Sequence, residues 1–254
     1  MTTSTVLSRE NEGQRQASAR RRRLRWRFVA ATLIFIALTQ TGFVLWLRHS
    51  RAARGPLKTG LIQAIQSHDA RSANAFLELG ADPNAGDAFG RSAVMWAARE
   101  NDAPLLRALL ARGGRIGEHD IDGRTPLIWT AMFDAHEAAR LLLDKGADVN
   151  GVDQDHSTAL MTAAVNDSWR VAGLLLERGA DVRRARKEGQ TALHVAAMSG
   201  RLDLVRALLD KGADINAANH ENKTARQLAD EKGHPDVVAL LDQAAGRAAT
   251  ARRP

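Results

Sequence analysis

Cysteine is absent from this 254-residue chain. Its absence excludes disulfides, zinc-thiolate centres and cysteine nucleophiles outright. Tyrosine is missing as well, and arginine outnumbers lysine 30 to 6. With the alanine richness, that balance suits a GC-rich bacterial genome. Catalytic signatures are also lacking. There is no H-x-x-x-H spacing, no G-x-S-x-G, no Walker A loop and no G-x-G-x-x-G after a strand. No enzyme activity, cofactor or metal is therefore expected.

The formal net charge of +7 looks like that of a nucleic-acid binder until it is located. Residues 1–57 hold 11 Arg against 2 Glu, whereas residues 58–254 hold 25 basic against 27 acidic side chains. Basicity belongs to the N-terminus, and nucleic acid is not an expected partner of the rest.

Phe28 to Leu47 is a run of 20 residues without a charge. A helix of that length spans roughly 30 Å, the thickness of bilayer hydrocarbon. Trp26 and Trp46 sit at its two ends, at the depth where indole rings prefer to lie. The N-terminal flank carries Arg9 and Arg15, then Arg20, Arg21, Arg22, Arg23, Arg25 and Arg27, against Arg48, Arg51, Arg54 and Lys58 on the other side. The positive-inside rule then keeps residues 1–27 in the cytoplasm. The run is longer than a signal-peptide core, and "RHSRAARGP" after it offers no good cleavage site. The expectation is a single-pass signal anchor over 28–47 in the cytoplasmic membrane, in contact with the bilayer. A linker over 48–56 would reach at most about 30 Å when extended. The remainder would lie outside the cytoplasm, in the periplasm of a Gram-negative cell.

Beyond the linker the chain repeats. "LLDKGADVN" at 142–150 returns as "LLDKGADIN" at 208–216, a separation of 66. Gly80, Gly113, Gly146, Gly179 and Gly212 are spaced by 33, and so are Ser92, Thr125, Thr158, Thr191 and Thr224. In the third unit Thr125 is placed to cap a helix that starts at Pro126. That helix runs to about Phe133, and Asp134 sits where a left-handed turn is needed. A second helix, about His136 to Lys145, stops at Gly146, and "ADVNGVDQD" forms a turn into the next unit. One such unit cannot bury its apolar face alone, so several must stack.

"GRTPLIWTA" (123–131), "STALMTAA" (157–164), "QTALHVAAMSG" (190–200) and "GRSAVMWAA" (90–98) carry the pattern, with G-A-D-x-N at 80–84, 146–150 and 212–216. Residues 57–246 thus resemble the ankyrin repeat. The resemblance implies an all-α ankyrin-repeat solenoid of helix-turn-helix units with projecting β-turn fingers. Six units are expected, the outer two as caps, followed by a flexible basic tail over 247–254. In the sixth unit Arg226, Asp230 and Asp242 occupy slots held by Leu or Ala elsewhere, which suits a terminal cap. Two departures stand out: Arg115 replaces a turn Asp and Arg183 a turn Asn.

Candidate ligand clusters are few. "EHDID" (118–122) and "DQDH" (153–156) fall on turns, where Asp and His serve turn geometry. His194 fills the family's signature His slot, where resemblance implies a structural hydrogen bond. Trp96 and Trp129 lie 33 apart and should be neighbours, with Phe89, Met132 and Phe133 close by. By resemblance, first helices and turns form the partner groove of such a stack. Those aromatics read either as an interface hot spot or as packing between units. Arg183, Arg184, Arg186 and Lys187 form a basic turn tip that could meet an acidic partner. The expected function is a membrane-anchored protein-binding module with a monomeric repeat domain. The alternative is an accessory or immunity-like protein that sequesters one enzyme or cofactor at the membrane.

Overall fold

A computed structural model describes residues 51–251, with side chains from Leu57 to Arg247. The expected anchor at 28–47 and its flanks lie outside the described residues, including Arg20, Arg21, Arg22, Arg23, Arg25, Trp26, Arg27 and Trp46. Among the described residues no helix is long and apolar enough to cross a membrane. Nearly all of the described residues belong to one compact unit, Gly55–Pro254.

Twelve helices form six pairs among the described residues: α1 (Arg51–Gln66) with α2 (Ala70–Glu78), α3 (Ala93–Arg99) with α4 (Ala103–Ala111), and α5 (Pro126–Met132) with α6 (His136–Asp144). Then come α7 (Ala159–Asn166) with α8 (Trp169–Glu177), α9 (Ala192–Met198) with α10 (Leu202–Asp210), and α11 (Ala225–Glu231) with α12 (Pro235–Ala251). From α3 to α11 each first helix packs on the next first helix, and from α2 to α12 each second helix packs on the next second helix. Leu109, Leu142, Leu175 and Leu208, at 33-residue intervals, are all fully buried between these layers. Burying each contributes roughly 1.5–3 kcal/mol.

The helix ends explain the period. Oγ of Ser92 and Oγ1 of Thr125, Thr158 and Thr224 accept the amide N–H three residues on, at 3.3–3.4 Å. Among the described residues every one with positive φ, six non-glycine and ten glycine, falls in one of three slots of the 33-residue grid. Asp134 (φ 49°) and His156 (φ 61°) adopt the left-handed turns their positions predict. Gly123 shows why one slot favours glycine. Its φ is +78°, and a Cβ there would come within 2.8 Å of Gln154 N in the next finger.

Adjacent units are also stitched by hydrogen bonds. The amides of Ile121, Gln154, Lys187 and His220 donate to Phe89, Asp122, Asp155 and Glu188 carbonyls, one bond per pair of neighbouring fingers. Isolated bridges between Val152 and Thr158, Ala185 and Thr191, and Ala218 and Thr224 close three of the fingers. Asn84 donates to the Gly113 carbonyl and accepts from Arg115 N–H, and Asn150 accepts from Asp181 N–H. The Arg115 side chain pairs with Glu118 at 2.7 Å. Arg183 donates its amide to Asp181, as Asn150 and Asn216 do to Asp148 and Asp214.

Both ends are more helical than expected. Helix α1 begins at Arg51, so residues 51–56 are not an extended linker, and α12 continues to Ala251, into the presumed tail. Residues 51–54 and 247–251 are rich in alanine and arginine, strong helix formers, whereas Gly55 and Pro56 are weak ones. The sixth unit is capped as its polar slots suggested. Arg226 Nε donates to Asp242 at 2.6 Å, and both side chains are exposed on the outer side of the last helix pair. Replacing both by leucine restores an apolar stacking surface, so sedimentation should show more concentration-dependent self-association than in the parent chain.

His194 is fully buried in α9. Its Nδ1 accepts from Thr191 N–H at 3.1 Å, and Nε2 donates to the Lys223 carbonyl at 3.2 Å, tying the fifth unit to the sixth. Burial pushes the imidazole below its ordinary value of 6.5, outweighing the backbone acceptors that favour the charged ring. The unfolded chain therefore binds this proton more readily, and stability falls as pH drops below about 6.5. Urea midpoints should decline from pH 7.5 toward pH 5, with a shallower decline in His194→Gln. An identical pH slope in the variant would contradict the assignment.

Candidate functional site

First helices and fingers of the second and third units build the most aromatic region among the described residues. The ring centroids of Trp96 and Trp129 lie 5.9 Å apart at 50°, the neighbours that their spacing implies. Trp129 stacks on Phe133 at 6.0 Å and 24°. Both tryptophans are only 6% exposed, so their rings fill the seam between units. What the region shows to solvent is its rim: Phe89 at 52%, Ile121 at 54% and Phe133 at 44%. Met132 is half-buried beside them. The aromatic group thus divides into a packed floor, Trp96 and Trp129, and an exposed edge.

Two arginines knit that edge together. Arg91 lies 4.6 Å from the Phe89 centroid and 4.7 Å from that of Trp96. Arg99 lies 5.2 Å from Trp96 and 4.8 Å from Phe133. Each guanidinium bridges two rings, an arrangement that contributes about 0.5–2 kcal/mol per contact. Sequence reasoning named neither; the signal for Arg99 is its place one turn after Trp96 on the same helix, whereas the Ser92 cap and a change of direction separate Arg91 from Trp96.

A carboxylate at the base of three fingers sets the geometry. Oδ1 of Asp87 accepts from the amides of Phe89 and Arg91, Oδ1 of Asp120 from Asp122 and Arg124, and Oδ1 of Asp153 from Asp155 and Ser157. Asn219 does the same for the last finger. These bonds are turn chemistry and account for the acidic "EHDID" and "DQDH" stretches. Burial pushes the Asp87 carboxyl up, but the Phe89 and Arg91 amides and the Arg91 guanidinium outweigh it and hold the group below its ordinary value. Oδ2 of Asp120 also accepts from Trp129 Nε1, at 3.0 Å.

The fifth finger departs from this pattern, with Arg186 in the Asp slot. Its side chain bonds Gln190 and approaches Glu188 at 3.0 Å. Lys187 lies 3.7 Å from Asp155, and Arg183 and Arg184 are exposed. The basic tip read from sequence is thus two paired and two open charges. Arg186 is the member that joins the helical face, where it lines a cleft of about 180 Å³ with Arg124, Met132, Met161 and Val165. Trp169, 71% exposed at the start of α8, lies apart from this face and carried no periodic signal.

Six stacked helix pairs with side-by-side fingers and a polar final unit define a helical repeat stack built for surface recognition. The family model described as Ankyrin repeats (3 copies) matches residues 61–153, 94–186, 145–219 and 174–248. Together these windows cover most of the chain, which belongs to the ankyrin-repeat family. No curated protein matches it. Ankyrin repeats are protein-protein interaction modules.

The two tryptophans should respond differently to loss of the indole N–H. Trp129→Phe leaves buried Asp120 Oδ2 without its hydrogen bond, with only the Arg124 guanidinium 4.0 Å away, and should cost about 1–3 kcal/mol. Nε1 of Trp96 is buried without a partner, so Trp96→Phe removes an unsatisfied donor and should cost less. Urea denaturation of both variants checks the order, and a larger loss for Trp96→Phe would contradict it.

Proposed function

We propose that the chain is a non-catalytic, membrane-anchored protein-binding module, with a monomeric repeat domain displayed outside the cytoplasm. The observation that carries the binding reading is the exposed rim of Phe89, Ile121 and Phe133, ordered by Arg91 and Arg99 over a tryptophan floor. Large apolar side chains held rigid at the surface lose little entropy on docking, which is what hot spots require. The anchor reading rests on the uncharged run at 28–47 and on the arginine excess before it.

A membrane-impermeant crosslinker applied to spheroplasts tests both parts. The full-length chain should yield one discrete adduct from the outside. Phe89→Ala with Phe133→Ala should lose it while keeping a cooperative melt, lowered only by the lost Arg91 and Arg99 contacts and the Trp129 stack. No labelling from the outside would overturn the topology. Labelling with undiminished capture by the double variant would overturn the docking face.

A further inference from the structure

The docking reading leaves the chemistry of the docked segment open, and the polar groups along the face bear on it. Its carboxylates are already engaged. Asp87, Asp120 and Asp153 each give Oδ1 to two finger amides, and Oδ2 of Asp87 and Asp120 go to Arg91 Nε at 2.7 Å and to Trp129 Nε1. Of its guanidiniums, Arg99, Arg124 and Arg186 pair with Glu100, Asp122 and Glu188, whereas Arg91 keeps an open edge. Arg91 is fixed by Asp87 through Nε and clamped between Phe89 and Trp96, yet neither of its Nη groups makes a hydrogen bond among the described residues. The fork is oriented in advance, which is what bidentate recognition of a carboxylate needs. Nε1 of Trp96, under the same guanidinium, is a further donor without an acceptor.

The second site lies further along the row of fingers. Where four other fingers keep Asp or Asn, the fifth substitutes Arg186 and turns a guanidinium toward the cleft that Arg124, Met132, Met161 and Val165 line. Positive, donor-rich groups beside methionine and phenylalanine therefore recur at both ends of the face. Methionine is a side chain that adapts to varied apolar partners.

Resting on the docking reading, we propose that this face receives an acidic, apolar segment of a partner protein. One carboxylate seats on the Nη edge of Arg91, a second takes the place of the exposed Glu188 on Arg186, and intervening apolar side chains lie on Phe89, Phe133 and the methionine cleft. The net charge of the repeats is close to zero, so selectivity comes from oriented donors rather than from a long-range field.

Selection of a random dodecapeptide display library on the full chain in neutral-lipid nanodiscs tests this. Recovered peptides should be enriched in Asp or Glu next to Leu, Phe or Met. A labelled recovered peptide should bind at least about tenfold more weakly to Arg91→Gln, and independently to Arg186→Gln, both checked for an unchanged melt. Peptides that depend on Phe89 and Phe133 but lack acidic residues would overturn the acidic segment and leave the docking face standing. Binders indifferent to Phe89→Ala and Phe133→Ala would remove the face itself. Failure to recover any peptide overturns the inference. So does Arg91-dependent binding of phosphatidylglycerol vesicles in place of peptides, which would reassign the face to lipid.

Discussion

Stacking between neighbouring units is the interaction on which everything else here depends. A pair of helices of seven to nine residues each, such as α5 and α6, has no interior of its own. Leu142 and Leu127 are buried only because the units on either side close over them. Helices this short are also marginal as isolated elements, so their hydroxyl caps and their neighbours stabilise them together. The finger-to-finger amide bonds, the Asn84 and Asn150 bridges and the His194 tie to Lys223 all cross the same seams. Order passes from each unit to the next, and Arg226 with Asp242 stops it at the last.

The candidate site follows from that constraint. A residue in one slot of the repeat meets the same slot 33 residues on, so any unusual residue is set beside its equivalents. Trp96 and Trp129 use this to make a wide seam, and the seam lifts Phe89 and Phe133 to a rim where arginines can span them. The turn carboxylates serve the scaffold first, and Asp87 and Asp120 then orient Arg91 and Trp129. Structure and recognition are thus divided by position. Residues that obey the repeat hold it together, while Trp96, Arg99, Phe133 and Arg186, which depart from it, shape the surface.

Much of the fold was legible because its rule is periodic. Caps, left-handed turns, the polar last unit and the adjacency of Trp96 to Trp129 all follow from spacing. Periodicity could not say which side of a ring faces solvent. The tryptophans lie in the seam, and exposure falls instead to Phe89 and Phe133 and to Ile121, which had no signal of its own. Arg91 was hidden because its partners are reached across a helix cap, and the engagement of the turn carboxylates emerges only once amides are counted. Helix at 51–54 and 247–251 carries no motif and is signalled by composition alone, so the repeat pattern could not reveal it.

The central claim is that the Phe89–Ile121–Phe133 rim is occupied in its native setting. Hydroxyl-radical footprinting, compared between native membranes and the purified chain, measures this directly. Trp169 is a control on the same molecule, being more exposed than any rim residue yet outside the face. The expected result is several-fold protection of Phe89, Ile121 and Phe133 in membranes, with Trp169 oxidised equally in both. Equal oxidation of the rim in the two settings, or protection of Trp169 alone, would contradict it.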